Sequence, residues 1–243
     1  MKLDILAFGV HPDDIELSCS GVLLVEKQKG KNTGVVDLTR GELGTRGSAE
    51  IREQEAAASA KILQLDAREN LGLADGFFKN DEEHQRKVIY AIRKYQPEII
   101  LCNAPEDRHP DHGRSAQLVE DAAFLAGLRK IETYNDKGVQ QEAWKAKYVF
   151  NYIQDRYLQP DFVIDITGVM EKKIESIKAF ATQFHNPSLG EPETYISTPD
   201  FLDSIIYRSK MMGKMIGVKY AEGFISKKTI GLGGFDSIIA NAT

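Results

Sequence analysis

The sequence predicts an α/β fold built on a doubly wound, mainly parallel sheet. Short apolar runs alternate with helical patterns four times over the first 128 residues. A loop with three glycines in eight residues, Arg40 to Gly47, follows the second run and can bring backbone close to a ligand. The two densest His/Asp clusters stand directly after the first and fourth apolar runs. In an open α/β sheet that is the carboxyl edge, where ligands bind.

The first run, Leu3 to Gly9, is short and mostly apolar, as a buried strand is. Leu17 to Lys29 carries a helical pattern with Val22, Leu23 and Val25 on its apolar side, and Gly30 can stop it. Thr33 to Thr39 reads as the second strand. Ser48 to Ile51 resembles a helix entry, with the helix running through Leu63. A third strand over Arg68 to Leu73, a helix over Asp81 to Tyr95, a fourth strand over Pro97 to Cys102 and a helix over His112 to Leu128 complete the alternation. Together they predict a Rossmann-like three-layer sandwich. Further on, Tyr148 to Ile153 and Phe162 to Ile166 read as strands, and Thr167 as the cap of a helix from Val169 to Gln183. Asn186 to Pro199, with three of the eight prolines, reads as a loop. A last helix spans Pro199 to Ile216, and Tyr220 to Ser226 forms a closing strand. With no repeat, low-complexity tract or linker, residues 1–243 are expected to form one domain.

Composition narrows the function. The chain has 42% hydrophobic and 28% charged residues, ordinary for a globular protein. Its net charge of -5 argues against a nucleic-acid surface. The two cysteines, Cys19 and Cys102, lack metal-type spacing and read as buried free thiols, consistent with a reducing compartment. Asp4 interrupts the first apolar run, so no secretory signal is expected, and no run approaches the roughly 20 apolar residues of a membrane span. A cytoplasmic protein without membrane or nucleic-acid partners is the expectation.

The chemistry lies in Val10-His11-Pro12-Asp13-Asp14-Ile15-Glu16 and Glu106-Asp107-Arg108-His109-Pro110-Asp111-His112. A catalytic zinc takes three protein ligands and leaves one position open. Spacing alone allows His11 with Asp13 or Asp14, plus His109 or His112. His11/Asp14 and His109/His112 are each three residues apart, which on a helical turn puts both side chains on one face. Adjacent Asp13 and Asp14 must diverge, so one can bind a metal while the other faces a water whose pKa the metal brings toward ~7. A protonated histidine opposite could donate to a leaving nitrogen, with Asp111 holding its ring. Either turn alone could be helix capping and solvated charge. Two such turns, each at a strand end, favour a site.

These two motifs resemble the LmbE-like, or PIG-L-like, zinc-dependent deacetylases, which remove the acetyl group from N-acetylglucosaminyl conjugates. The likeness extends through Asp37-Leu38-Thr39, Gly41-Glu42-Leu43, Arg52, Asn70-Leu71-Gly72-Leu73 and Tyr220-Ala221-Glu222-Gly223-Phe224. The second cluster and the closing motif look most like the bacillithiol branch, whose substrate is N-acetylglucosaminyl L-malate. The resemblance implies one Zn2+ per chain, other divalent metals being possible, on His11, Asp14 and His112. Asp13 becomes the general base, and His109, oriented by Asp111, assists the intermediate or the leaving amine. Arg52 is matched to a substrate-binding arginine; a helix-surface pair with Glu53 or Glu55 is its other reading. Arg108 could meet a malate carboxylate bidentately, or be a solvated loop arginine.

One departure stands out. Relatives carry a tyrosine at the position of Phe201 that helps hold the oxyanion; Phe201 has no hydroxyl. Tyr195, in the proline-rich loop, is the candidate substitute, with an exposed loop tyrosine as its other reading. The expected function is hydrolysis of an N-acetylglucosamine conjugate to free amine and acetate, with a homo-oligomer, hexameric in the bacillithiol type, implied by the resemblance. Free N-acetylglucosamine, a chito-oligosaccharide or a thiol conjugate are alternative substrates. A nucleotide-binding module is the non-enzyme alternative, weakened because the first turn has no G-x-G-x-x-G and carries acids where pyrophosphate would sit.

Overall fold

A computed structural model describes residues 1–184 and 190–236. Its strands are β1 (Ile5–Gly9), β2 (Thr33–Thr39), β3 (Ala67–Leu73), β4 (Ile99–Cys102), β5 (Tyr148–Tyr152), β6 (Phe162–Asp165) and β7 (Ala221–Ser226). They form one seven-stranded sheet in the order β3-β2-β1-β4-β5-β7-β6. The first five are mutually parallel, and β7 runs antiparallel between β5 and β6. The helices are α1 (Asp14–Ser18), α2 (Ser20–Gln28), α3 (Ala49–Ile62), α4 (Glu82–Tyr95), α5 (Pro110–Ala126), α6 (Met170–Lys178) and α7 (Phe201–Ile216). The expected mainly parallel sandwich is what forms.

Both faces of the sheet are covered, which is why its central strands read as unbroken apolar runs rather than alternating ones. Leu6, Phe8, Val36 and Leu38 pack on α4 and α5. Ile5, Ala7, Val35 and Leu101 face the other way, onto α2 and the start of α6. Caps fix the helix starts. Ser48 accepts from the Ile51 N–H and Asp81 from the His84 N–H. Pro110 opens α5 two residues before the expected start, with its missing N–H at a position that needs none. Among the described residues, no helix is long and apolar enough to cross a membrane.

Two helices differ from expectation. The single helix predicted over Leu17 to Lys29 begins earlier, at Asp14, and breaks at Cys19, whose φ is -134°. Distant side chains hold the break. Lys173 Nζ donates to the Glu16 carbonyl at 2.8 Å and Arg208 Nη2 to the Leu17 carbonyl at 2.6 Å, while Glu222 accepts the Gly21 and Val22 N–H groups at 2.9 and 2.7 Å. Thr167 does not cap α6; it opens a 3-10 turn, and its own N–H is taken by Asp165. That helix stops at Lys178 rather than Gln183, and shortly beyond its end the Thr182 N–H and hydroxyl both bind the Glu55 carboxylate, at 2.7 and 2.9 Å. Residues 186–189 of the expected loop lie outside the described residues.

Several motif carboxylates that carry the family likeness are turned inward to hold the fold. Arg68 grips Asp37 bidentately at 2.8 and 3.0 Å and reaches Glu16 at 2.6 Å; Lys173 pairs with Glu222 at 2.8 Å. Gly21 is needed where α2 meets this network. A Cβ there would lie 2.8 Å from Glu222 Oε1 and 2.9 Å from Ile166, whereas one at Gly168 would meet nothing within 4 Å. Gly21→Ala is therefore expected to cost about 1–3 kcal/mol in urea unfolding, and Gly168→Ala much less.

Candidate active site

Strand order reverses between neighbouring β1 and β4. The chain leaves β1 for α1 and α2 on one face and leaves β4 for α5 on the other, so a crevice opens outside their carboxyl ends. Both His/Asp turns hang over it.

In the first turn Asp14 Oδ2 accepts the N–H groups of Val10 and His11 at 2.9 and 3.0 Å. A carboxylate thus occupies the donors a nucleotide phosphate would use. Asn103 Nδ2 and Gln154 Nε2 also donate to Asp14, at 2.9 and 2.7 Å, and His112 Nε2 lies 3.3 Å from its Oδ1. Burial works to raise the Asp14 carboxyl, but the His112 ring and further hydrogen bonds hold it well below the usual carboxylate range. Asp13 points elsewhere, as adjacent side chains must. Its φ of 137° is strained for a side-chain-bearing residue. Arg52 Nη2 pins it, donating to Asp13 Oδ2 at 3.0 Å and to the Pro12 carbonyl at 2.8 Å. Burial pushes the Asp13 carboxyl up to about 7, with Arg52 pulling the other way.

The second turn brings in two imidazoles. Ring centroids lie 4.8 Å apart for His11 and His109, 5.8 Å for His11 and His112, and 5.4 Å for His109 and His112. The Asp111 backbone N–H donates to His109 Nδ1 at 3.3 Å, so a neutral His109 carries its proton on Nε2. Burial and the neighbouring rings keep His109 below the usual histidine range. His112 Nδ1 lies 2.5 Å from Asp107; burial opposes its charge, but Asp14 and Asp107 push the ring up to about 10.

All nine sequence-predicted site residues fall in one region; Asp111 and Arg52 have partners other than those expected, and Tyr195 is 54% exposed, as its loop-tyrosine reading has it. Asp111 does not hold His109 with its carboxylate, which accepts from the Gly76 N–H at 2.9 Å and from Arg114 at 2.7 Å; the backbone N–H steadies the ring instead. Arg52 is 4% exposed and pairs with neither Glu53 nor Glu55; its Nη groups are engaged by Asp13 and main-chain carbonyls. The Tyr195 hydroxyl donates to Asp155 at 3.0 Å rather than standing free for an oxyanion. Arg108 lies over the Tyr195 ring at 4.2 Å and its Nε is 3.3 Å from Asp155. Phe201 packs on Phe184 and Tyr195. Sequence reading missed Asp75, whose Oδ1 is 2.9 Å from His11 Nε2, and the partners Asp107, Asn103 and Gln154. Asp75-Gly76 directly follows β3, so the rule that pointed to the other two turns could have found it.

A cavity of about 340 Å³ is lined by His11, Asp13, Asp14, His109 and His112, with Arg46, Arg52 and Arg108 among its walls. A divalent cation fits these groups. Ligating atoms of His11, His109 and His112 lie within 4.8 Å of one another, as do those of His11, Asp75 and Asp111, and Asp14 sits 4.0 Å from His11 Nδ1 and 3.3 Å from His112 Nε2. Carboxylates flank both rings, Asp14 and Asp75 at His11 and Asp14 and Asp107 at His112, and favour positive charge there. Two cavity residues hold buried polar atoms without a partner among the described residues, Gln154 Oε1 and Arg52 Nε. Imidazole and carboxylate donors without thiolate suit several divalent metals.

Fold and site together fit an α/β enzyme with room for a divalent metal at the carboxyl edge of its sheet. Residues 6–123 match the family described as PIG-L: GlcNAc-PI de-N-acetylase. The conserved protein TT1542 from Thermus thermophilus is 33% identical with a TM-score of 0.83, over 95% of this chain and 97% of that one. Diacetylchitobiose deacetylase from Thermococcus kodakarensis is 27% identical over 90% of this chain and 81% of its own. A 4-oxalmesaconate hydratase from Pseudomonas putida is 26% identical (74% of each), and a probable N-acetyl-alpha-D-glucosaminyl L-malate deacetylase 2 from Bacillus subtilis is 24% identical (75% and 84%). The chain belongs to the PIG-L/LmbE-like family of deacetylases.

Proposed function

We propose that this protein is a zinc-dependent N-deacetylase of N-acetylglucosamine conjugates, acting in the cytoplasm as a homo-oligomer, with N-acetylglucosaminyl L-malate as its substrate. The observation that carries the reading is a division of labour around one cavity. His11 Nδ1 and His112 Nε2 each face one oxygen of Asp14, at 4.0 and 3.3 Å, while Asp13 and His109 border the same space with separate partners. Bound to the first three, a divalent cation supplies charge that polarises a carbonyl and acidifies water. Asp13, fixed by Arg52, takes the proton of the attacking water as its oxygen bonds to the acetyl carbon. His109, with its hydrogen on Nε2, donates a hydrogen bond to the developing oxyanion; the proton held by Asp13 passes to the nitrogen as the C–N bond breaks, giving the free amine and acetate. Arg52 acts through Asp13, and among the cavity side chains His109 rather than Tyr195, whose hydroxyl is held by Asp155, is the one placed to face the oxyanion.

Three arginines in the cavity wall favour an anionic aglycone over a neutral one. Arg46 is paired with Glu191, Arg52 with Asp13 and Arg108 with Asp155; Arg108, braced on Tyr195, is the most exposed of the three and so the one freest to exchange its partner for a malate carboxylate. Arg108→Ala is expected to raise KM for the malate conjugate about 10-fold or more and to leave KM for diacetylchitobiose unchanged.

Acetate release by the zinc-reconstituted protein, compared across N-acetylglucosaminyl malate, N-acetylglucosamine, chito-oligosaccharides and a thiol conjugate, tests the assignment. Turnover only on substrates without malate would remove the malate reading. Hydration of an unsaturated carboxylate with no acetate from any amide would remove the deacetylase reading.

A further inference from the structure

We propose that Asp75 and Asp107 set which ring nitrogen His11 and His112 present, and thereby seat the metal on the Asp14 side of the cluster. The inference rests on the metal-dependent reading above and adds two positioning residues to it. His11 Nε2 lies 2.9 Å from Asp75 Oδ1, while its Nδ1 is on the Asp14 side, 4.0 Å from Oδ2. In His112 the two nitrogens exchange roles: Nδ1 lies 2.5 Å from Asp107 Oδ2, and Nε2 is 3.3 Å from Asp14 Oδ1.

A carboxylate only accepts, so the nitrogen facing Asp75 or Asp107 carries the hydrogen. The opposite nitrogen is then the one available to a cation, and in both rings it lies on the Asp14 side. Both carboxylates are anchored by their second oxygens. Asp75 Oδ2 accepts the Leu43 N–H at 3.0 Å, and Asp107 Oδ1 accepts the Arg156 N–H at 2.7 Å. His109 has the reverse arrangement, accepting a backbone N–H at Nδ1, so its Nε2 is a donor rather than a ligand. The same logic disfavours a cation held by His11, Asp75 and Asp111, because that site needs His11 Nε2 without its hydrogen.

Zn2+ dissociation constants measured by chelator competition on wild type, D75A, D75N, D107A and D107N test the inference. Each Ala variant is expected to bind Zn2+ 10–100-fold more weakly, and each Asn variant, which keeps an acceptor oxygen, to recover most of the loss. Ala variants within about twofold of wild type, or Asn variants as weak as Ala, would overturn the positioning role. Long-range 1H–15N correlation of the zinc-loaded wild type needs no variant to fold. It should place hydrogen on His11 Nε2 and His112 Nδ1, and metal on His11 Nε2 would overturn the inference. Failure of wild type to bind Zn2+ at all would remove the metal reading itself, a separate result.

Discussion

Asp13→Asn is expected to keep one metal per chain and to lose about 10²–10⁴-fold in turnover. The two halves of that result follow from different contacts. Metal retention follows because Asp14, not Asp13, faces the rings of His11 and His112. Turnover falls because an amide cannot take a proton from water at neutral pH. Asn is the better test than Ala, since it keeps a side chain for Arg52 Nη2 to bind and suits the φ of 137° no worse than Asp does. Arg52 also keeps its bond to the Pro12 carbonyl, so the turn should hold its shape. Metal analysis beside a steady-state acetate assay reads both halves. Near-normal turnover in the metal-loaded variant would take the base role away from Asp13.

What the sequence made legible were features carried by neighbours in the chain. The parallel strands, the capped starts of α3 and α4, and the position of both His/Asp turns at strand ends all rest on local pattern and on one rule about sheet edges. What escaped was set by residues far apart. The break at Cys19 depends on Lys173, Arg208 and Glu222, more than 140 positions downstream, which take up the ends of α1 and α2. The early stop of α6 depends on Glu55 drawing in Thr182. The site shows the same split. His11, Asp14 and His112 were readable as candidates because a motif contains them, and Asp75 could have been found at the end of β3 by the same rule, but Gln154 and Asn103 join the cluster through the fold. Asp111 was assigned to the right ring through the wrong group, because spacing cannot tell a carboxylate from the backbone N–H beside it.

His11→Ala and His109→Ala should part company, and the contrast decides between two ligand sets that distance alone leaves open. Ligating atoms of His11, His109 and His112 lie within 4.8 Å of one another, so a three-imidazole site is the rival set. The hydrogen bonds favour Asp14 as third ligand, because His109 Nδ1 is occupied by the Asp111 N–H and its other nitrogen bears the proton. His11→Ala removes a ligand and leaves only Asp14 and His112, too few to hold the ion against a chelator. It is expected to purify and reconstitute without stoichiometric metal and to show no turnover above background. His109→Ala removes only a hydrogen-bond donor to the oxyanion, so it should hold metal like wild type while turnover drops about 10²–10³-fold. Both measurements are metal content after equilibrium dialysis and initial rates on the same substrate. If His109→Ala loses its metal as completely as His11→Ala, the site is a three-imidazole one, and the oxyanion role proposed for His109 passes to another group.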